Sequence, residues 1–153
     1  MASRSSETRI IGFYGYSDSG KTTLIEKAIS RLTKQGYAVG AIKETDKHLH
    51  RDQKGKDTRR FSDAGASMVA LASPAGVTLF SESGIEISHL IGLMMHSCYL
   101  DLIIIEGARE HWIPKIRIGE IEERENTVWS YNEKFEDLIK IILEKGEPCI
   151  PSK

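Results

Sequence analysis

The chain has 153 residues, 40% hydrophobic and 28% charged, a composition that suits one soluble globular domain with a single core. Its formal net charge of -1 supplies no global field for nucleic acid or anionic membrane, and no apolar run approaches 18 residues, so neither nucleic-acid binding nor a membrane span is expected. Two cysteines, Cys98 and Cys149, match no metal or redox spacing and fit a reducing, cytoplasmic setting.

The opening "MASRSSETR" lacks the apolar stretch of a secretory signal, and residues 1–8 read as a disordered N-terminal tail. "TRIIGFY" (8–14) reads as a buried strand that runs straight into a glycine loop. In the next segment Leu24, Ile25, Ala28, Ile29 and Leu32 fall on one helical face, and Gly36 supplies the stop. "YAVGAIK" (37–43) is a second strand. Residues 44–56 are polar and aperiodic, and a loop of that length points to function. A short helix is expected over 57–65, then strands "SMVALAS" (67–73) and "VTLFS" (77–81) about the turn Pro74–Gly76.

Ile87, Leu90, Ile91, Met94, Met95 and Cys98 mark an amphipathic helix, with the methionines and Cys98 read as core. "LDLIIIEG" (100–107) is a continuous apolar run of the kind buried on both faces of a parallel sheet. "KIRIG" and "NTVWS" suggest further strands. Asn132 is the expected cap of a last helix carrying Phe135, Leu138, Ile139, Ile142 and Leu143 inward, closed by Gly146 and Pro148. Alternating strands and helices predict an α/β domain, three-layer α/β/α on a mainly parallel sheet, over residues 9–146, with 147–153 as a tail.

Gly15 to Thr22 reads G-x-x-x-x-G-K-T between a strand and a helix, the context of a phosphate loop (Walker A), and it makes the fold P-loop NTPase-like. The chemistry needs those residue types. Gly15 and Gly20 let the backbone curl so that its N–H groups, with those of Ser19 and Thr23, converge on phosphate oxygens. The helix N-terminus adds a positive dipole, Lys21 reaches the outer phosphates, and the Thr22 hydroxyl is a Mg²⁺ ligand. Asp18 places an acid in the same loop.

A phosphate-bound Mg²⁺ takes oxygen ligands, and the strand-end acid Glu106 is the expected partner. The alternative is a capping or surface acid. Asp101 opens the same strand about 17 Å away, at the opposite edge of the sheet. Gly107 would let the chain approach the terminal phosphate closely. Asp52, in the polar loop after the second strand, is either a further participant in the metal shell or a solvated acid.

"GYSDSGKTTLIEKAI", "GYAVGAIK", "GKDTRRFSDAGA", "DLIIIEG" and "PKI", in that order from about Arg9 to Ile118, resemble the MobB family. These are small P-loop proteins of molybdopterin-guanine dinucleotide biosynthesis. The resemblance implies a GTP-binding protein with weak Mg²⁺-dependent GTPase activity, assisting molybdopterin guanylyltransferase and other molybdenum cofactor enzymes. It also implies a homodimer formed through added sheet. By position, the resemblance places Gly15, Ser19, Gly20, Lys21, Thr22 and Thr23 in the phosphate loop, and Lys43, Asp52, Gly55, Lys56, Asp57 and Arg60 after the second strand. It assigns Glu106 and Gly107 to the strand-end acid and Pro114 and Lys115 to the later motif.

Two departures stand out. Family histidines after Lys43 are replaced by Glu44, Asp46 and Lys47, leaving His48 and His50 displaced as solvated side chains. Ser17-Asp18 stands where the family tends to have Lys-Asn, which makes the loop more negative and should weaken anion binding if both side chains face the ligand. Lys56, Arg59 and Arg60 either bind a phosphate or pterin-phosphate or form a solvated basic face paired with Asp52, Asp57 and Asp63.

No N/T-K-x-D motif is present, so guanine preference comes from the resemblance alone. Two other functions share the scaffold. A P-loop small-molecule kinase would use loop 44–60, with Arg51, Arg59 and Arg60, as a lid. A nucleotide-switched adaptor would bind GTP without useful turnover. No Gln or His lies next to "EGA" to orient a water, which favours slow turnover at most.

Overall fold

A computed structural model describes residues 7–46, 56–81 and 83–149, the side chains of Lys56 and Asp57 excepted. In chain order the elements are β1 (Arg9–Gly15), α1 (Lys21–Lys34), β2 (Val39–Lys43), α2 (Lys56–Asp63), β3 (Met68–Ser73), β4 (Gly76–Ser81), α3 (Ile87–Ser97), β5 (Leu102–Glu106), β6 (Lys115–Ile118), β7 (Thr127–Ser130), α4 (Phe135–Lys145) and β8 (Glu147–Pro148). The chain divides into two compact units: residues 1–46 with 91–153, and residues 47–90.

The first unit is built on a sheet of order β2-β5-β1-β6-β7, parallel throughout, with β8 antiparallel on β1. β5 is apolar from Leu102 to Ile105 because it lies between β1 and β2, and all four residues are buried. Ile11 and Phe13 of β1 and Leu102 and Ile104 of β5 meet Ile25, Ala28 and Leu32 of α1 and Leu138, Ile139 and Ile142 of α4. Spacings of three and four residues put each helical trio on one stripe. On the other face Gly40 of β2 packs against α3: a Cβ there would come within 2.8 Å of Met94 Cε, and the methionine side chain would have to shift. The architecture is α/β, with helices on a mainly parallel sheet.

Several sequence expectations change. Asn132 is not the cap of α4; Lys134 is. The Asn132 side chain instead accepts a bond from Lys134 N at 3.1 Å and donates to Asp137 at 3.0 Å, forming a turn one step ahead of the helix. Cys98 is exposed, since α3 ends at Ser97 and the residue falls past the last inward turn. The segment read as a C-terminal tail from residue 147 begins as β8, and Cys149 N donates to Thr8 O at 2.8 Å. Thr8, just before β1, is buried with its hydroxyl on Leu100 O at 2.8 Å.

The second unit holds α2 and an antiparallel β3–β4 hairpin paired from Met68↔Ser81 to Ser73↔Gly76. Alternation puts Met68, Ala70, Ala72, Val77 and Leu79 on one face, and Met68, Val77 and Leu79 are all exposed. No helix among the described residues is long and apolar enough to cross a membrane.

Candidate nucleotide-binding site

The carboxyl ends of β2, β5, β1 and β6, neighbours in that order, are brought together by register. Phe13 of β1 and Lys43 of β2 both pair with Glu106 of β5, and Gly15 pairs with Ile118 of β6. Ligands of open parallel sheets bind at such an edge.

The loop from Tyr16 to Gly20 closes tightly, with Ser19 N on Tyr16 O at 3.4 Å. Asp18 and Gly20 take left-handed backbone angles, φ 61° and 78°; Asp is one of the few non-glycine residues that tolerate this. Lys21 Nζ folds back onto Tyr16 O and lies 3.5 Å from Ser19 Oγ. α1 begins at Lys21 with Gly20 as its cap, no side-chain cap bond and no acid in its first turn. The leading N–H groups, including those of Lys21, Thr22 and Thr23, therefore lack an intrahelical partner and face a positive dipole end, an anion site by construction.

Glu106 stands against this loop. The Thr22 hydroxyl is 3.1 Å from each Glu106 carboxylate oxygen, and Lys43 Nζ is 3.5 Å from Oε1. Its side chain is only 14% exposed, so the carboxylate is partly withdrawn from water yet held by a hydroxyl and a cation. Asp101 is at the far end, as expected, taking Ala38 N at 2.7 Å and the Tyr99 hydroxyl at 3.0 Å. Thr22 and Glu106 offer hard oxygen donors side by side, which fits Mg²⁺ completed by water and phosphate. No group of three or more His, Cys, Asp or Glu that could hold a metal occurs among the described residues.

Past Glu106 the chain turns sharply. Gly107 has φ 105°, and a Cβ there would sit 3.0 Å from Glu44 Cβ and 3.2 Å from its carbonyl oxygen. Gly107 N donates to Phe13 O at 2.9 Å, and Ala108 folds so close to Gly12 that a Cβ on Gly12 would lie 2.2 Å from its methyl. Glu44 and Asp46, which replace the expected histidines, both engage Arg109. Glu44 Oε2 accepts from Arg109 N at 3.1 Å, and the Asp46 carboxylate takes the guanidinium in two bonds, one of 2.7 Å. The Arg109 hydrogen bond holds the Asp46 carboxyl below its ordinary value.

Lys115 turned out to be interior. It is 1% exposed, and its ammonium donates to Glu110 O (2.6 Å), Ile113 O (2.9 Å) and Glu125 O (3.0 Å). All three ammonium protons are thus used to tie the turn after β5 to the β6–β7 connection. Pro114, also buried, passes its carbonyl to Gly12 N at 2.8 Å.

Sequence reasoning missed Arg124 and Tyr14. Arg124 donates from Nη1 to Gly107 O at 2.7 Å and lies 4.8 Å over the Tyr14 ring. An arginine within a run of glutamates after a strand gives no local signal of such a contact. Of the other sequence candidates, Lys56 and Arg60 fall on α2 of the second unit, where Arg59 pairs with Asp63 at 3.7 Å. Asp52, Gly55, His48, His50 and Arg51 lie outside the described residues.

Residues 10–144 match the MobB family profile, molybdopterin guanine dinucleotide synthesis protein B. The chain is 35% identical over 108 residues to a molybdopterin-guanine dinucleotide biosynthesis adapter protein of Haemophilus influenzae, covering 70% of this chain and 61% of that one. It is 34% identical over 110 residues to the adapter protein of the same description from Escherichia coli, covering 70% and 63% respectively. The chain thus spans about three fifths of the length of these curated relatives. The crystal structure of Bacillus subtilis MobB superposes with a TM-score of 0.66 at 22% identity, covering 91% of this chain and 98% of that one, and it shares the fold. On the extent of the family match and the identity to these relatives, the chain belongs to the MobB family.

Proposed function

We propose that this chain is a GTP-binding adapter of molybdopterin-guanine dinucleotide biosynthesis, with slow Mg²⁺-dependent GTP hydrolysis and a cytoplasmic setting. The observation that carries the reading is the Thr22 hydroxyl facing the Glu106 carboxylate at the mouth of the phosphate loop. That pairing puts a hydroxyl able to ligate a metal and an acid beside the start of α1, whose cap Gly20 offers no side-chain bond.

In this reading the N–H groups of Ser19 through Thr23 hold the inner phosphates. Lys21 leaves the Tyr16 carbonyl for the outer ones. Thr22 and Glu106 would hold Mg²⁺, which supplies charge neutralisation between the outer phosphates when bound. Glu106 would also orient water there, while Lys43, 3.5 Å from its Oε1, holds that carboxylate in place. Arg109 is tied to Asp46 and Glu44. With no evident base beside Glu106, hydrolysis should run below about 1 per minute, as in unassisted P-loop GTPases.

The relatives described as adapter proteins support a role through partners, with molybdopterin guanylyltransferase and other molybdenum cofactor enzymes as the expected ones. The exposed apolar face of the β3–β4 hairpin supports a homodimer. GTP hydrolysis by Glu106→Gln, with and without Mg²⁺, tests the site. The variant should bind GTP and lose the metal-dependent rate; a rate equal to wild type would make Glu106 structural.

A further inference from the structure

Arg124 is more organised than an exposed arginine in an acidic connection requires. Its main-chain N–H donates to the Tyr14 hydroxyl at 3.1 Å, and its carbonyl accepts from Thr127 Oγ1 at 2.6 Å. The Tyr14 hydroxyl and Thr127 Oγ1 are themselves 2.7 Å apart, closing a small ring of bonds. The guanidinium then lies over the Tyr14 face and reaches Gly107 O. Both anchors matter. Tyr14 is the residue before Gly15, where the phosphate loop starts, and Gly107 is the residue after Glu106. The guanidinium therefore bridges the ends of β1 and β5.

Its guanidinium stands outside the ion pairs of the described residues. Arg31, Arg59, Arg109 and Arg117 each have a carboxylate partner. Arg124 has none among the described residues, although Glu122, Glu123 and Glu125 surround it in sequence. Only Nη1 is engaged by a hydrogen bond among the described residues, so the other guanidinium N–H donors remain for a ligand. Burial first, and then the nearby Arg124 charge, hold the Lys115 ammonium below its ordinary value, with Glu125, Glu110 and Glu44 acting in the opposite sense. A fixed, stacked guanidinium without a carboxylate suits a doubly charged oxyanion.

We propose that Arg124 is a phosphate-binding residue of the nucleotide site, taking the terminal phosphate of a nucleoside triphosphate beside Gly107 and so separating triphosphate from diphosphate. The proposal rests on the phosphate-loop reading above and assigns it one more ligand-binding side chain, brought from the β6–β7 connection.

The test is calorimetric titration of the full chain with GTP and with GDP, in Mg²⁺, for wild type, Arg124→Gln, Arg124→Lys and Lys21→Ala. Glutamine removes the charge while keeping an amide N–H donor on a shorter stem. Arg124→Gln should lose about 10- to 100-fold in GTP affinity with GDP changed by less than about twofold. Arg124→Lys should recover part of the GTP loss, since it restores the charge without the planar fork. Equal losses for GTP and GDP in both variants would make Arg124 a loop brace, and no loss for either would remove it from the site. If wild type binds neither nucleotide, the phosphate-loop reading falls, and this inference with it. If wild type binds both and only Lys21→Ala affects them, the phosphate-loop reading stands and Arg124 is not part of it.

Discussion

Lys115 shows how a residue that looks like a ligand-binding group in sequence can be a brace in the fold. Its ammonium is spent on three carbonyls from two loops, and burial pushes its pKa down from the ordinary 10.5. Lys115→Met leaves those carbonyls without donors and should cost about 2 to 4 kcal/mol in urea unfolding. The pH dependence has a definite sign. A lysine that binds its proton less tightly when folded makes stability rise with pH, from its lowered folded value up to 10.5, because only the unfolded chain is protonated there. Wild type should show that rise and Lys115→Met should lack it; parallel curves would mean the group titrates normally. Asp18 makes the opposite case. It is exposed, in a left-handed turn that an acid tolerates, and the phosphate loop is formed around it. Asp18→Asn should tighten GTP binding about two- to fivefold at low salt, with the gain shrinking as salt rises. An unchanged affinity would place the carboxylate away from the ligand.

Elements were legible where one surface decided them. The apolar run of β5, the stripe of α1 and the inner face of α4 are each set by local periodicity, and they stand where that periodicity put them. The acid ending β5, Glu106, could be named from sequence, but not what it would face. What made it a partner of Thr22 is the pairing of β5 with β1, Phe13↔Glu106, which is a long-range fact. The same limit hid Arg124: its contacts join residues 124, 107 and 14, and no window of sequence contains all three. β8 escaped notice because two residues carry no period, and Asn132 misled because a turn just before a helix uses the same side-chain chemistry as a cap. The β3–β4 hairpin leads to its own expectation. Val77 is 71% exposed and Leu79 43%, on one face with Met68 at 50%. Val77→Lys with Leu79→Lys should convert a dimer to a monomer by light scattering, with the fold intact by circular dichroism. The same molar mass in variant and wild type would exclude that face from the contact.

At the scale of the whole molecule, the nucleotide reading depends on one arrangement: an uncapped helix start, a lysine parked on its own loop, and a hydroxyl facing a strand-end acid across the sheet edge. In the proposed reading each part has a use once a phosphate chain arrives. The most direct measurement is calorimetric titration of GTP into wild type and Lys21→Ala in the presence of Mg²⁺. Wild type should bind one GTP per chain, and Lys21→Ala should lose at least about 100-fold in affinity, since the cation that meets the outer phosphates is gone. Equal affinity in the two proteins would contradict the phosphate-loop assignment.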